Sequence, residues 1–298
     1  MKKSRWILLL TLVLSTLLLA ACGGGGSETI TVASKDFTEQ FIIGEMYALL
    51  LEDAGYTVER KLNLGGTPVA HQALLDSEID VYPEYTGTGL LTVLKHDVMS
   101  DPQAVYDLVK SDYADQFNLA WLEPAPMNNT QALAMKKTRA AELGISTFSQ
   151  LVAQASDLVL IGPPEFAERE DGLPGMKRVY GDFDFANYLA VDPGLRYPAI
   201  INDEADVVVA FGTDGELAAY DLVGLQDDMG LYPPYQIAPV IRQEVLDGDA
   251  EVASILNKVA PLLSNETMQG LNNEVSGNGR EPIDVAREFL VAQGLISE

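Results

Sequence analysis

The 298 residues carry 44 acidic side chains against 19 basic ones, a formal net charge of −25, which excludes polyanions such as nucleic acid as partners. A single cysteine excludes any internal disulfide. About 270 residues follow position 28, more than one typical domain, and no later apolar stretch is long enough to span a bilayer, so two lobes of similar size are expected.

The chain opens on Lys2, Lys3 and Arg5, then an almost wholly apolar stretch, 6–19, then Leu19-Ala20-Ala21-Cys22. A basic start, a short apolar run and small residues read as a cleavable export signal at 1–21. The same four residues resemble a bacterial lipobox, in which Cys22 becomes the lipidated first residue. Residues 22–28 form a flexible Gly/Ser tether. Loss of Lys2, Lys3 and Arg5 takes the net charge from −25 to −28.

Residues 29–33 alternate like a strand and end at Ser34-Lys35-Asp36. Phe41, Ile42, Met46, Leu49, Leu50 and Ala54 then recur at helical spacing, with Gly55 as the stop. Residues 56–64 read as a second strand. Gly65-Gly66-Thr67 leads into a helix at 69–75. A third strand at 79–81 breaks at Pro83 and runs into the turn Thr86-Gly87-Thr88-Gly89, ahead of the apolar run 90–94. The pattern β-α-β-α-β predicts a sheet of parallel strands with crossover helices, and ligands in such sheets lie at the carboxyl ends of strands. Lys35 and Tyr85 follow two of those ends and point to one crevice. A Gly/Thr turn entering a helix leaves free N–H groups, and Tyr85 adds an aromatic face beside them. Tyr82 is read as packing.

Residues 101–110 are helical and 119–122 extended. Pro124 and Pro126 precede a strand-like run at 127–135, taken as a first crossing into a second lobe. A helix at 148–155 and a buried strand at 158–161 follow, stopped by Gly162-Pro163-Pro164. The segment 165–169 lies just past that strand, and 171–175 is a turn. A strand at 206–211 ends in Gly212-Thr213-Asp214-Gly215. Residues 231–235 are the second crossing, and 251–263, 265–273 and 282–293 are helical. Lobe one is therefore 29–126 plus 234–298. Lobe two, 127–233, is inserted in it through two extended strands. Two α/β lobes on a two-strand hinge make a clamshell with the ligand in its cleft.

Catalytic signals are absent. His71 and His96 read as surface helix residues, and no HExxH, GxSxG, P-loop or GxGxxG motif occurs. There is no zinc-ligand spacing and no EF-hand. The chain is expected to be no enzyme and to need no cofactor or metal.

The runs 34–40, 65–67, 80–89, 169–175, 213–215 and 233–235, in this order, resemble the substrate-binding lipoproteins of osmoprotectant ABC importers, which take up glycine betaine, choline, carnitine and related quaternary ammonium compounds. The resemblance implies a type II periplasmic-binding-protein fold, each lobe a mixed sheet flanked by helices. It implies a lipid-anchored, extracytoplasmic monomer that hands its ligand to a permease driven by ATPase subunits. It also implies an aromatic cage for the trimethylammonium group, with Tyr85 and Tyr235 as walls, and a carboxylate site from Lys35, Thr88 and Arg169. Two cage tyrosines of the family are replaced, by Gln131 and Phe211. Phe keeps the π face, whereas Gln loses it and offers an amide. A clamshell for another small solute, such as a basic amino acid or a taurine-like compound, a sensor lipoprotein and a hydrolase built on paired carboxylates remain the alternatives.

Overall fold

The computed structural model describes residues 29–297; the export signal and tether read at 1–28 lie outside the described residues. Ten described strands form two sheets, of order β2-β1-β3-β10-β4 and β7-β6-β8-β5-β9. The first holds β1 (Ile30–Ala33), β2 (Val58–Lys61), β3 (Val81–Tyr85), β4 (Leu119–Trp121) and β10 (Ile237–Arg242). The second holds β5 (Gln131–Lys136), β6 (Val159–Gly162), β7 (Asn187–Ala190), β8 (Val207–Phe211) and β9 (Leu222–Gly224).

The two sheets share one plan. Three parallel strands, β2-β1-β3 or β7-β6-β8, are flanked by a strand antiparallel to them, β10 or β5, and then by an edge strand antiparallel to that. In each case the antiparallel strand is the first one after the chain crosses between the sheets. The crossings, 122–130 and 225–236, lie outside regular strands. Asn129 N–H to Tyr235 O (2.9 Å) ties one to the other, and Ala125 N–H to Ile237 O (2.8 Å) ties the first to the start of β10.

β10 was not expected, and the reason is Pro239 at its centre. Proline is normally confined to edge strands because it cannot donate to a ladder. Here Pro239 lies opposite Pro83 of β3. The ladder bonds fall on the alternate pairs, as Thr86 N–H to Gln236 O and Arg242 N–H to Asp80 O show, so neither proline nitrogen faces the other strand. The break expected at Pro83 is therefore not a break: β3 continues to Tyr85, buried throughout. β7 and β9, short edge strands, were also unforeseen.

The helix Thr38–Asp53 (α1) is buried on nearly all sides, between β1, β3 and the C-terminal helices Asn265–Asn272 (α2) and Pro282–Ala292 (α3). A helix buried all round shows little amphipathicity, and its polar residues need internal partners. Glu45 is met by Arg60 at 2.8 Å, and Gln40 accepts from the Lys35 N–H at 3.2 Å. His71 is half-buried, with its ring against Tyr113 and Phe117 at 5.5 and 5.1 Å. It packs rather than standing at the surface. His96 lies in a loop, ion-paired with Asp112 at 2.7 Å. No described helix is long and apolar enough to cross a membrane.

Candidate functional site

The site forms where strand ends of both sheets face each other. Lys35 follows β1, Tyr85 ends β3 and Thr88 lies in the turn beyond. Gln131 opens β5 directly opposite Phe211, which ends β8. Arg169 follows β6, and Tyr235 lies in the second crossing. All seven line one cavity of about 40 Å³. Phe37, Asn129 and Glu165 complete its wall.

Lobe one contributes a buried ion pair. Lys35 Nζ lies 2.6 Å from Glu84 Oε1, with the lysine 3 % and the glutamate 0 % exposed. Glu84 also accepts from the Tyr85 N–H at 2.7 Å and the Tyr82 hydroxyl at 3.1 Å. A second Nζ–H donates to Thr67 Oγ1 at 3.3 Å, leaving one of the three ammonium protons uncommitted. The ammonium stands 4.8 Å from the Tyr85 ring centre and 5.8 Å from Phe37, within cation–π range.

Lobe two answers with Arg169 and Asp171. Asp171 is fully buried and accepts from Arg169 Nε (2.6 Å) and Nη2 (2.5 Å), Gln131 Nε2 (2.6 Å) and the Tyr235 hydroxyl (2.7 Å). Burial alone would raise its carboxyl; the guanidinium charge and its hydrogen bonds outweigh this and hold the pKa below the ordinary Asp value. Arg169 also donates to Glu165 at 3.0 Å, and makes long contacts, 3.5 Å each, to Thr67 and Thr88 of lobe one. The pair expected to clasp a carboxylate is thus already partnered by protein acids. The open capacity lies between Thr67, Thr88, the spare Lys35 proton and the loosely used Arg169 N–H groups.

Aromatic faces line the cavity between the lobes. Phe37 stacks on Tyr85 of lobe one (6.3 Å, 18°) and on Phe211 of lobe two (6.3 Å, 6°). Two glycines permit the close approach. A Cβ on Gly87 would fall 2.8 Å from the Tyr235 ring, and one on Gly66 would fall 2.2 Å from Glu165 Oε2. Glu165 thereby leans from lobe two over the N-terminus of the helix Thr67–Leu75, a favourable place for an anion. Behind Tyr85, Glu39 accepts from the Tyr85 hydroxyl (2.7 Å), Asn129 Nδ2 (2.8 Å) and Asn272 Nδ2 (3.0 Å). Burial raises the Glu39 pKa despite these donors. Burial, with Glu39 beside one and Asp171 beside the other, also raises the Tyr85 and Tyr235 hydroxyls well above their usual value.

Sequence reasoning overlooked Phe37, Thr67, Asn129, Glu165 and Asp171 as parts of this site. Phe37, Thr67 and Asp171 lie in the very runs that carried the resemblance, each within two residues of a residue singled out or at the end of its turn. Their chain positions were visible and their roles were not.

Comparison with known proteins now places the chain. A family profile described as the substrate-binding domain of ABC-type glycine betaine transport systems matches residues 28–292. The carnitine transport binding protein OpuCC of Listeria monocytogenes is 33 % identical over 95 % of this chain and 94 % of its own length. The ergothioneine transport permease/ergothioneine binding protein EgtU of Helicobacter pylori is 34 % identical over 97 % of this chain. The chain spans about half, 52 %, of that relative's length. A crystal structure of a glycine betaine/carnitine/choline ABC transporter protein superposes with a TM-score of 0.71 at 31 % identity, covering 90 % of this chain and all of that one. The chain belongs to the family of substrate-binding domains of ABC-type glycine betaine transport systems.

Proposed function

We propose that this protein captures a quaternary ammonium or betaine solute outside the cytoplasm and delivers it to an ABC permease. The observation that carries the reading is the convergence of aromatic faces and N–H donors from both lobes on one cavity. A quaternary ammonium has no proton to donate, so it is held by ring faces, at roughly 0.5–2 kcal/mol each. A carboxylate beside it is met by Lys35, Thr67, Thr88 and Arg169. Because the contacts come from both lobes, the ligand favours the closed arrangement. We assign the hinge to the crossings near 127 and 233. The family is one of binding proteins rather than enzymes, and it works outside the cytoplasm. Cys22 is our candidate for the lipid anchor; Cys22→Ala should release the protein from the membrane fraction, and unchanged membrane association would refute the anchor.

The test is thermal and chemical unfolding with a panel of glycine betaine, carnitine, choline and ergothioneine, with arginine and taurine as controls. A ligand at a hundredfold excess over its Kd stabilises by about 2.7 kcal/mol. If no quaternary amine shifts unfolding while a control does, the reading is wrong.

A further inference from the structure

The helix α2 belongs to lobe one, where it packs on α1 and buries Met268 in that lobe's core. Asn265, Gln269 and Asn272 recur along it at i, i+4 and i+7, so three amides line one stripe. The stripe meets a piece of lobe two, the turn Gly212-Thr213-Asp214-Gly215 that follows β8. Gln269 Nε2 donates to the Gly212 carbonyl at 3.0 Å, and Asn272 Nδ2 to the Thr213 carbonyl at 3.0 Å. Asn265 Nδ2 reaches the Gly212 carbonyl at 3.5 Å. Asn265 also brackets the first crossing, accepting the Asn128 N–H at 2.9 Å and donating to the Asn128 carbonyl at 3.0 Å.

The turn is shaped for this grip. A Cβ on Gly212 would fall 2.8 Å from the Asn128 carbonyl oxygen, and one on Gly215 would fall 3.0 Å from both the Gln269 carbonyl oxygen and Asn273 Cβ. Glycine at both positions lets turn, crossing and helix come together. Thr213 is fully buried among them, with its N–H 3.4 Å from Asn129 Oδ1. The acceptors are backbone carbonyls, so the amides read where the turn stands and not which side chains it carries. None of the three amides lines the ligand cavity. Asn272 nevertheless reaches it through one carboxylate: its Nδ2 also donates to Glu39 at 3.0 Å, and Glu39 accepts from the Tyr85 hydroxyl at 2.7 Å.

We propose that α2 is a latch on closure: its amide stripe holds the Gly212–Gly215 turn only when the lobes are together, and so sets the closed fraction, and with it ligand affinity, from outside the ligand cavity. The turn moves with β8 and the stripe with α1, so rotation of one lobe against the other takes the amides off their carbonyls and hands both to water. A ligand that binds the closed arrangement loses apparent affinity in proportion to the closed fraction. The inference rests on the clamshell part of the proposed function and not on which solute the cavity takes.

The experiment is a reversible lock. On a Cys22→Ala background, Gly215→Cys with Asn273→Cys puts two thiols across the contact, where the 3.0 Å Cβ spacing is about half an ångström inside the ~3.5 Å lower limit of a disulfide. Oxidised, the protein should take up glycine betaine at least about tenfold more slowly than the same protein reduced, read by stopped-flow tyrosine fluorescence, and should be the more compact of the two by X-ray scattering. Equal rates would make α2 a fixed part of the hinge and overturn the latch. Gln269→Glu tests the stripe at an exposed position, where a carboxylate would face the Gly212 carbonyl in place of a donor. It should raise the radius of gyration of the ligand-free protein and weaken glycine betaine at least about threefold, whereas Gln269→Lys, which restores an N–H donor, should stay within about twofold of the wild type. A radius of gyration and a Kd both unchanged by Gln269→Glu overturn the latch. If glycine betaine does not bind at all, the proposed solute falls, and scattering decides the latch alone: an oxidised pair no more compact than the reduced one overturns it.

Discussion

The two lobes bury charge at the site in different ways. Lobe one closes its account internally: Lys35, Glu84, Tyr82 and the Tyr85 N–H all belong to β1, β3 and their ends. Lobe two's Asp171 instead draws donors from three places, with Arg169 and Gln131 from its own lobe, Tyr235 from the crossing and a long contact at 3.4 Å from Thr92 of lobe one. The first arrangement survives any relative movement of the lobes. The second is complete only when lobes and crossing are together, so it ties folding of the site to closure.

Asp171→Asn breaks this contrast most severely. Removing one partner of a buried pair leaves the Arg169 charge to Glu165 alone and costs up to about 3–5 kcal/mol, read as a lower urea midpoint. It should also widen the molecule, seen as an increased radius of gyration by X-ray scattering. Glu84→Gln should cost a comparable amount of stability without changing the dimensions. If both substitutions expand the molecule, or neither does, the two clusters do not differ in the way argued.

Tyr85→Leu is expected next in size. Loss of the ring face should weaken quaternary ammonium binding by ~1–2 kcal/mol, whereas Tyr85→Phe should retain binding to within about twofold and lose only the hydroxyl's bond to Glu39. Equal binding by Leu and Phe would remove Tyr85 from the cage.

The same contrast has opposite pH signatures. Asp171 has a folded pKa below its unfolded value, so its contribution is present above the ordinary Asp pKa, 3.8, and is lost as pH falls through the depressed value. Glu39 has a raised folded pKa, so its contribution is full below the ordinary Glu value, 4.5, and is lost as pH rises through the raised one. Each slope is at most about 1.4 kcal/mol per pH unit. In urea midpoints measured against pH, Asp171→Asn should flatten the acid limb and Glu39→Gln the decline above 4.5. Exchanged or unchanged limbs would contradict these assignments.

What the sequence disclosed follows from which features are local. The Gly65-Gly66-Thr67 helix entry, the Gly/Thr run 86–89, which the structure makes the start of a helix rather than a turn, and the buried strands at 158–161 and 206–211 are set by short-range chemistry, and they placed Lys35, Tyr85, Arg169 and Phe211 at strand ends. β10 was hidden because Pro83 and Pro239 excuse each other only in a register that no local window contains. Asp171 read as a turn residue, since its donors come from 79 positions upstream to 64 downstream. Glu39 lies in the first turn of α1, and it is buried because helices more than two hundred residues later cover α1.

Gln131→Tyr carries the smallest expected effect and bears most closely on ligand choice. Gln131 lies opposite Phe211 in the sheet, so a ring there adds a wall to the cage, worth ~0.5–1 kcal/mol to the cation. The substitution also removes the amide's 2.6 Å bond to Asp171, a loss of ~1.5–3 kcal/mol for a hydrogen bond to a charged group unless the new hydroxyl replaces it. The first acts on ligand binding and the second on folding, so the two are read in separate measurements. The added wall serves any quaternary ammonium, while the lost amide matters to the order around Asp171. Titration should therefore show glycine betaine gaining up to about fivefold, with the ligand-free unfolding midpoint lowered unless the new hydroxyl bonds to Asp171. A loss of glycine betaine affinity would show that Gln131 serves the ligand through Asp171 and Arg169, and that the missing tyrosine face was never a wall of this cage.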